Sequence, residues 1–224
     1  MKLRPLTAAL SAAIITVSAG AFTAFADSGD VEINNTNFPD DNFRTYVSGN
    51  FDKDKNGSLS QSEIDAVNYI KVNNKKIADM SGIEYFTALT SLYCDRNQLT
   101  SLDITQNTLL TILDCSSNKL ESLDVSKNTA IKKLDCYSNK LTSLNVSGNT
   151  ALEELSCHKN LLESLDLGSC TSLKILRCYG NQLTSLDISK NTALEELSCE
   201  QNPITSLDVS SCIALKKLNC GDNK

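Results

Sequence analysis

From Leu89 onward the sequence returns to itself every 21 residues, and that period limits the fold more tightly than any other property of the chain. Leu92, Leu113, Leu134, Leu155, Leu176, Leu197 and Leu218 stand in one column. Cys94, Cys115, Cys136, Cys157, Cys178, Cys199 and Cys220 stand in a second, and Asn97, Asn118, Asn139, Asn160, Asn181, Asn202 and Asn223 in a third. The unit reads LxxLxCxxNxLxxLDVSxNTA, as in Leu110 to Ala130. Around the first column the alternation has period two, so Leu and Cys face one side of a short strand and polar residues the other. One such strand cannot bury its apolar side alone, and copies therefore stack into a parallel ladder with neighbours ~4.8 Å apart. The second half of the unit, with Leu123 and Val125, Leu144 and Val146, or Leu186 and Ile188, fills the core from the opposite wall of the coil. Where the chain leaves the strand its backbone groups lose sheet partners, and a buried Asn amide donates and accepts at once to bridge one coil to the next.

Seven matching copies closely resemble the leucine-rich repeat in one of its short bacterial versions. The fold class expected is an α/β solenoid: 21-residue coils with a parallel β-sheet face and a small helical N-terminal cap. Seven of the nine cysteines recur at the period of the fold, in a position usually filled by an apolar residue. Stacked side chains at strand spacing are farther apart than the ~3.5–4.5 Å between Cβ atoms that a disulfide prefers, so these read as buried small hydrophobes with free thiols. Cys170 and Cys212 occupy the second asparagine column, with Asn107, Asn128, Asn149 and Asn191, two coils apart and too distant to pair. Uniform spacing without C-x-x-C or paired histidines disfavours zinc.

Two outward columns carry information. Lys132 and Lys133, Glu153 and Glu154, Lys174, Glu195 and Glu196, then Lys216 and Lys217 alternate in sign, which reads as an ion-pair ladder fixing register, each exposed pair adding only ~0–1 kcal/mol. Tyr137, His158 and Tyr179 lie on successive coils just after the cysteine, with Tyr93 and Arg177 flanking. Aromatic rings with polar tips on a rigid open face suit binding of a protein or a glycan; ordinary surface tyrosines are the alternative. Catalysis has little support. His158 is the single histidine, and the serines and aspartates recur as equivalent columns, whereas a nucleophile needs one special serine with its own base.

Upstream, FDKDKNGSLSQSE (Phe51 to Glu63) places Asp52, Asp54 and Asn56 on alternate positions, Gly57 sixth, Ser58 seventh, Ser60 ninth and Glu63 twelfth. This resembles the EF-hand calcium loop at each diagnostic position. Alternate oxygens converge on a hard cation, glycine makes the sharp turn, Ser58 gives its carbonyl, and Glu63 closes the cage with both oxygens. Calcium is the cofactor this implies. Pro39, Asp40 and Asp41 make a helix start ahead of Phe43, Tyr46 and Val47, weakened by Gly49 and Asn50 at its end; a second helix is expected from Glu63 to Ile70. EF-hands usually pair, and this one stands alone. Ile77, Met80, Gly82, Ile83, Phe86 and Leu89 resemble the start of the repeats in internalin-like bacterial surface proteins. That resemblance implies a helical, EF-hand-like cap over the first coil, and a role in adhesion or host interaction.

The chain opens with Lys2 and Arg4, then an apolar run from Leu6 to about Phe25 ending in AFA before Asp27, the pattern of a secretory signal peptide. Three segments follow: a signal peptide at 1–26, a cap at 27–76 with its loop at 52–63, and repeats from 77 to 224 with the last copy incomplete. The product expected is a secreted or surface-associated bacterial protein with no membrane insertion after cleavage. A net charge of −6 with no basic run argues against nucleic acid. The reading is a non-enzymatic binding module for a protein or glycan. A structural or assembly role, or a piece of a larger surface protein, is the alternative, since Leu215, Leu218 and Cys220 lie at an uncapped end that would support self-association.

Overall fold

The computed structural model describes residues 29–224, so the signal-peptide expectation lies outside the described residues. Each 21-residue coil contributes one three-residue strand. These are β4 (Ser91–Tyr93), β5 (Ile112–Asp114), β6 (Lys133–Asp135), β7 (Glu154–Ser156), β8 (Ile175–Arg177), β9 (Glu196–Ser198) and β10 (Lys217–Asn219). With β3 (Tyr69–Lys71) they form one eight-stranded parallel sheet in strict sequence order. The register is uniform, with Leu92, Leu113, Leu134, Leu155, Leu176, Leu197 and Leu218 aligned rung by rung. The central leucine is buried from Leu92 through Leu197, as are the cysteines from Cys94 through Cys199. Val125, Val146 and Ile188 close the core from the opposite wall, which is built of turns and extended chain, the α-helices being confined to the cap.

All nine cysteines are free thiols, eight buried and Cys220 exposed. Burial pushes the eight buried thiols up, Cys157 to about 12 and Cys199 to about 11, so their thiolate is scarce at neutral pH and the buried ladder behaves as packing rather than chemistry. The first asparagine column works as its position requires. The Asn160 amide donates to the Cys136 and Cys157 carbonyls at 3.1 and 3.0 Å, and its oxygen accepts from the Leu141 N–H at 3.0 Å. One residue before each asparagine the backbone turns left-handed, at Arg96, Ser117, Ser138, Lys159, Gly180, Gln201 and Asp222, with φ between 53° and 63°.

The cap holds β1 (Val31–Glu32), α1 (Asp41–Asn50), β2 (Ser58–Leu59) and α2 (Gln61–Asp65). The Asp40 side chain caps α1 through the Asn42 and Phe43 N–H groups, and the helix continues through Gly49 and Asn50. The second helix is shorter than its apolar spacing implies. The Val67 N–H bonds back to the Ile64 carbonyl and ends the turn, and Tyr69–Lys71 enters the sheet opposite Ser91–Tyr93. Ile70 is therefore buried as a strand residue over Leu92, and the parallel sheet starts upstream of residue 77. Phe38, Phe43, Val47, Leu59, Ile64 and Val67 form the cap's core, continuous with Ile70 and Phe86 of the first coil.

Candidate functional site

Two regions gather chemistry-bearing residues. In the loop between α1 and α2, carboxylate oxygens of Asp52, Asp54 and Glu63 lie within 4.8 Å of one another, the one group among the described residues close enough to hold a metal ion. Asp52 accepts from the Asn56 and Gly57 N–H groups, and Asn56 Oδ1 accepts from Ser58 N–H at 2.7 Å, so alternate side chains turn inward. Gly57 has φ +86°, a conformation L side chains rarely adopt. Glu63 Oε1 accepts from the Lys53 N–H at 2.6 Å, and its Oε2 accepts from the Ser60 N–H and hydroxyl. Those bonds, from Ser60 first, hold its carboxyl below the usual range. Ser60 and Glu63 form a capping box at the start of α2, so Glu63 has a structural role whether or not a cation binds. The loop is not unpaired: β2, just after Gly57, joins antiparallel to β1 through Val31↔Leu59 and Glu32↔Ser58.

On the sheet face, Tyr137, His158 and Tyr179 stack in parallel, with ring centroids 4.4 Å and 4.2 Å apart and interplanar angles of 7° and 17°. The rings cover one another, and His158 is 9% exposed. The two tyrosines cover both faces of the His158 ring, so the three aromatics form one stack rather than three separate open faces. Strand spacing explains this, since identical outward positions sit at nearly the separation of stacked rings. Arg177 pairs instead with Glu196 at 3.3 Å, and Tyr93 lies away from the stack, tilted against Tyr69 at 5.6 Å and 48°. Tyr69 is a face residue the repeat could not reveal, because it precedes the first full copy. The expected charge ladder is present: Lys174–Glu153 and Lys216–Glu195 at 2.6 Å, Lys217–Glu196 at 2.5 Å and Lys133–Glu154 at 3.0 Å.

Burial, with Lys159 and Arg177 adding to it, lowers the His158 pKa from its ordinary 6.5 to about 4. A depressed folded value means that the neutral ring's contribution is complete above pH 6.5 and is lost as pH falls toward 4. Attraction of the imidazolium to the two tyrosine faces offsets part of this, leaving about 1–2 kcal/mol. His158→Phe, which keeps a ring in the stack, is expected to flatten the fall in stability between pH 6.5 and 4 by that amount. Parallel pH–stability curves for the two proteins would contradict it.

This architecture, with parallel strands on one wall, an asparagine at each exit and one leucine column per coil, defines a leucine-rich-repeat solenoid. A family model described as leucine rich repeat matches residues 137–153. Internalin J from Listeria monocytogenes serotype 4b is 42% identical over 81 residues, which is 36% of this chain and 9% of that protein. Its serovar 1/2a counterpart is also 42% identical over 81 residues, 10% of its length. Among solved structures, the functional domain of InlJ from Listeria monocytogenes, described as including a cysteine ladder, is 38% identical with a TM-score of 0.71, over 90% of this chain and 49% of that one. A Listeria monocytogenes internalin C2 superposes with a TM-score of 0.82 at 25% identity, over 89% of this chain and 91% of that one. The chain is an internalin-like leucine-rich-repeat protein, and it spans about a tenth of the curated relatives it matches.

Proposed function

We propose that this chain is an exported, surface-acting, non-catalytic binding module whose sheet face docks a protein partner, in adhesion or host interaction, over a cap that calcium stabilises. The observation that carries the reading is the face itself: eight strands held rung to rung, with outward side chains fixed by stacking and ion pairs. Preorganised side chains lose little conformational freedom on binding. A protein is favoured over a glycan because the facing surfaces of the Tyr137, His158 and Tyr179 rings are taken up by one another, leaving no open run of flat faces. No helix among the described residues is long and apolar enough to cross a membrane. A photo-crosslinking amino acid at position 137 is expected to capture a protein from host-cell surfaces that the same group at Lys127, on the opposite wall, does not. Equal capture from both positions, or none from 137, would overturn the docking face.

The loop suits a hard cation because its donors are all oxygen and already converge. Asp52, Asp54, Asn56, the Ser58 carbonyl, Ser60 and Glu63 would hold it, with Glu63 exchanging its Lys53 and Ser60 hydrogen bonds for the ion. The ion would supply charge neutralisation that draws the loop, and with it the β1–β2 pair, closed. For an affinity of ~0.1 mM in a medium of ~2 mM calcium, mass action adds about 1.8 kcal/mol. Melting in calcium and in EDTA, beside Asp52→Ala, is expected to show a higher transition in calcium that the variant lacks; identical transitions in all three would refute the cation site.

A further inference from the structure

The sheet face is not uniform. On the sheet face each glutamate from Glu153 to Glu196 meets a base: Lys133 with Glu154, Glu153 with Lys174, Glu195 with Lys216, and Glu196 with both Arg177 and Lys217. Nearer the cap this compensation fails. Asp114 and Asp135 are register partners on β5 and β6, carboxylate above carboxylate, an arrangement that repels. Asp114 has no ion pair among those present, its oxygen accepting only from Ser116, at 2.6 Å through the hydroxyl. Asp135 has Lys133 at 3.7 Å, but that ammonium sits closer to Glu154, at 3.0 Å. Burial holds both carboxyls above the usual range. On the next rung up, Tyr93 is the register partner of Asp114, and it leans on Tyr69, whose ring is 48% exposed. Lys71 lies one rung beyond Tyr93.

A tilted pair of tyrosines beside two partly desolvated carboxylates, Asp114 without an ion pair and Asp135 sharing Lys133 with Glu154, is complementary to an organic cation. The ring faces attract it, and Asp114 gains the partner its own rung withholds. A neutral ligand would desolvate the carboxylates further without pairing them, and an anion would be repelled. We propose that Tyr93 and Asp114, register partners flanked one strand out by Tyr69 and Asp135, form a recognition notch for a lysine or arginine side chain presented by a protein partner. The proposal rests on the reading of the sheet face as a protein-docking surface.

The test uses a fluorescent peptide alternating lysine and threonine, with a glutamate–threonine peptide beside it, in anisotropy titrations against the full chain. The lysine peptide is expected to bind and the glutamate peptide not. Asp114→Asn with Asp135→Asn should weaken binding about tenfold, and Tyr93→Ala about fivefold. Asp166→Asn with Asp187→Asn removes the same charge from the opposite wall, where Asn145 already occupies the equivalent position, and should change affinity less than about twofold. Relief of carboxylate repulsion should leave the first double variant at least as stable as the parent, which a melting curve checks. Equal weakening by both double variants would reduce the effect to net charge, and no binding of the lysine peptide would remove the notch. Crosslinking from position 137 reports on the docking face separately, so its persistence beside either failure would overturn the notch alone.

Discussion

Gly82→Ala is expected to destabilise the protein by about 4 kcal/mol, a loss read in chemical denaturation, and to uncouple the cap from the repeats. Gly82 has φ +101°, and a Cβ there would lie no more than 2.5 Å from Phe38 Cδ1 and Cε1 and 2.6 Å from the Asn37 carbonyl oxygen. Its N–H donates to Glu84 at 2.8 Å and starts the short 3-10 turn Ile83–Tyr85 that brings the first coil against the cap. Phe38, fully buried, contacts Phe43, Tyr85 and Phe86 at centroid distances of 6.0, 5.6 and 6.4 Å, so it has little room to retreat. The left-handed backbone contributes ~1–3 kcal/mol and the steric conflict a similar amount. Phe38→Leu combined with Gly82→Ala should recover part of the loss, because the side chain in the way becomes smaller while the backbone strain remains. A Gly82→Ala cost below about 1 kcal/mol would mean that the cap and coil can separate without consequence for folding.

How far such contacts are legible in the sequence depends on repetition. The leucine, cysteine and asparagine columns are readable because the same need recurs in each coil, and the structure buries the leucines and cysteines from Leu92 to Cys199, with the asparagines buried or partly buried beside them. Asp40 is readable as a cap because helix starts have their own chemistry. Features that occur once leave no such trace. The β1–β2 pair is two residues long on each side, too short for any period. Strand β3 escapes the count because Ile70 precedes Leu92 by 22 residues rather than 21, and the spacing of Ile64, Val67 and Ile70 imitates a helix. The left-handed turn before each asparagine is filled by Arg, Ser, Lys, Gly, Gln or Asp, so composition does not mark it. In the site, the spacing places Tyr137, His158 and Tyr179 on one face, but only ring geometry shows that they spend their faces on each other. The oxygen-bearing residues from Asp52 to Glu63 are legible one by one as a loop pattern, whereas the capping box that engages Glu63 depends on three-dimensional contact.

The two asparagine columns look alike in sequence and differ in what they hold, and this sets the expectation for Asn160→Ala. Asn160 is 5% exposed and satisfies the Leu141 N–H through its oxygen and the Cys136 and Cys157 carbonyls through its nitrogen. Alanine strands the buried Leu141 N–H, at ~1–3 kcal/mol, and removes one of two donors from each carbonyl, Cys136 keeping Asn139 and Cys157 keeping Asn181, at ~0.5–1 kcal/mol each, so a loss of about 3 kcal/mol is expected. In the second column Asn149 donates to the Val125 and Asn128 carbonyls at 3.2 and 2.9 Å, but its buried oxygen accepts from no protein group. That column also accepts cysteine: Cys170 Sγ lies 3.6 and 3.9 Å from the equivalent carbonyls, a weak donor replacing a strong one. No copy from Asn97 to Asn223 makes such a replacement in the first column, where an acceptor is needed as well as a donor. Asn149→Cys should therefore cost about 1 kcal/mol, well under half the cost of Asn160→Ala. Equal losses in the two variants, measured by denaturant unfolding, would mean that the strand-exit N–H finds another partner, and the bridging role assigned to the first column would fail.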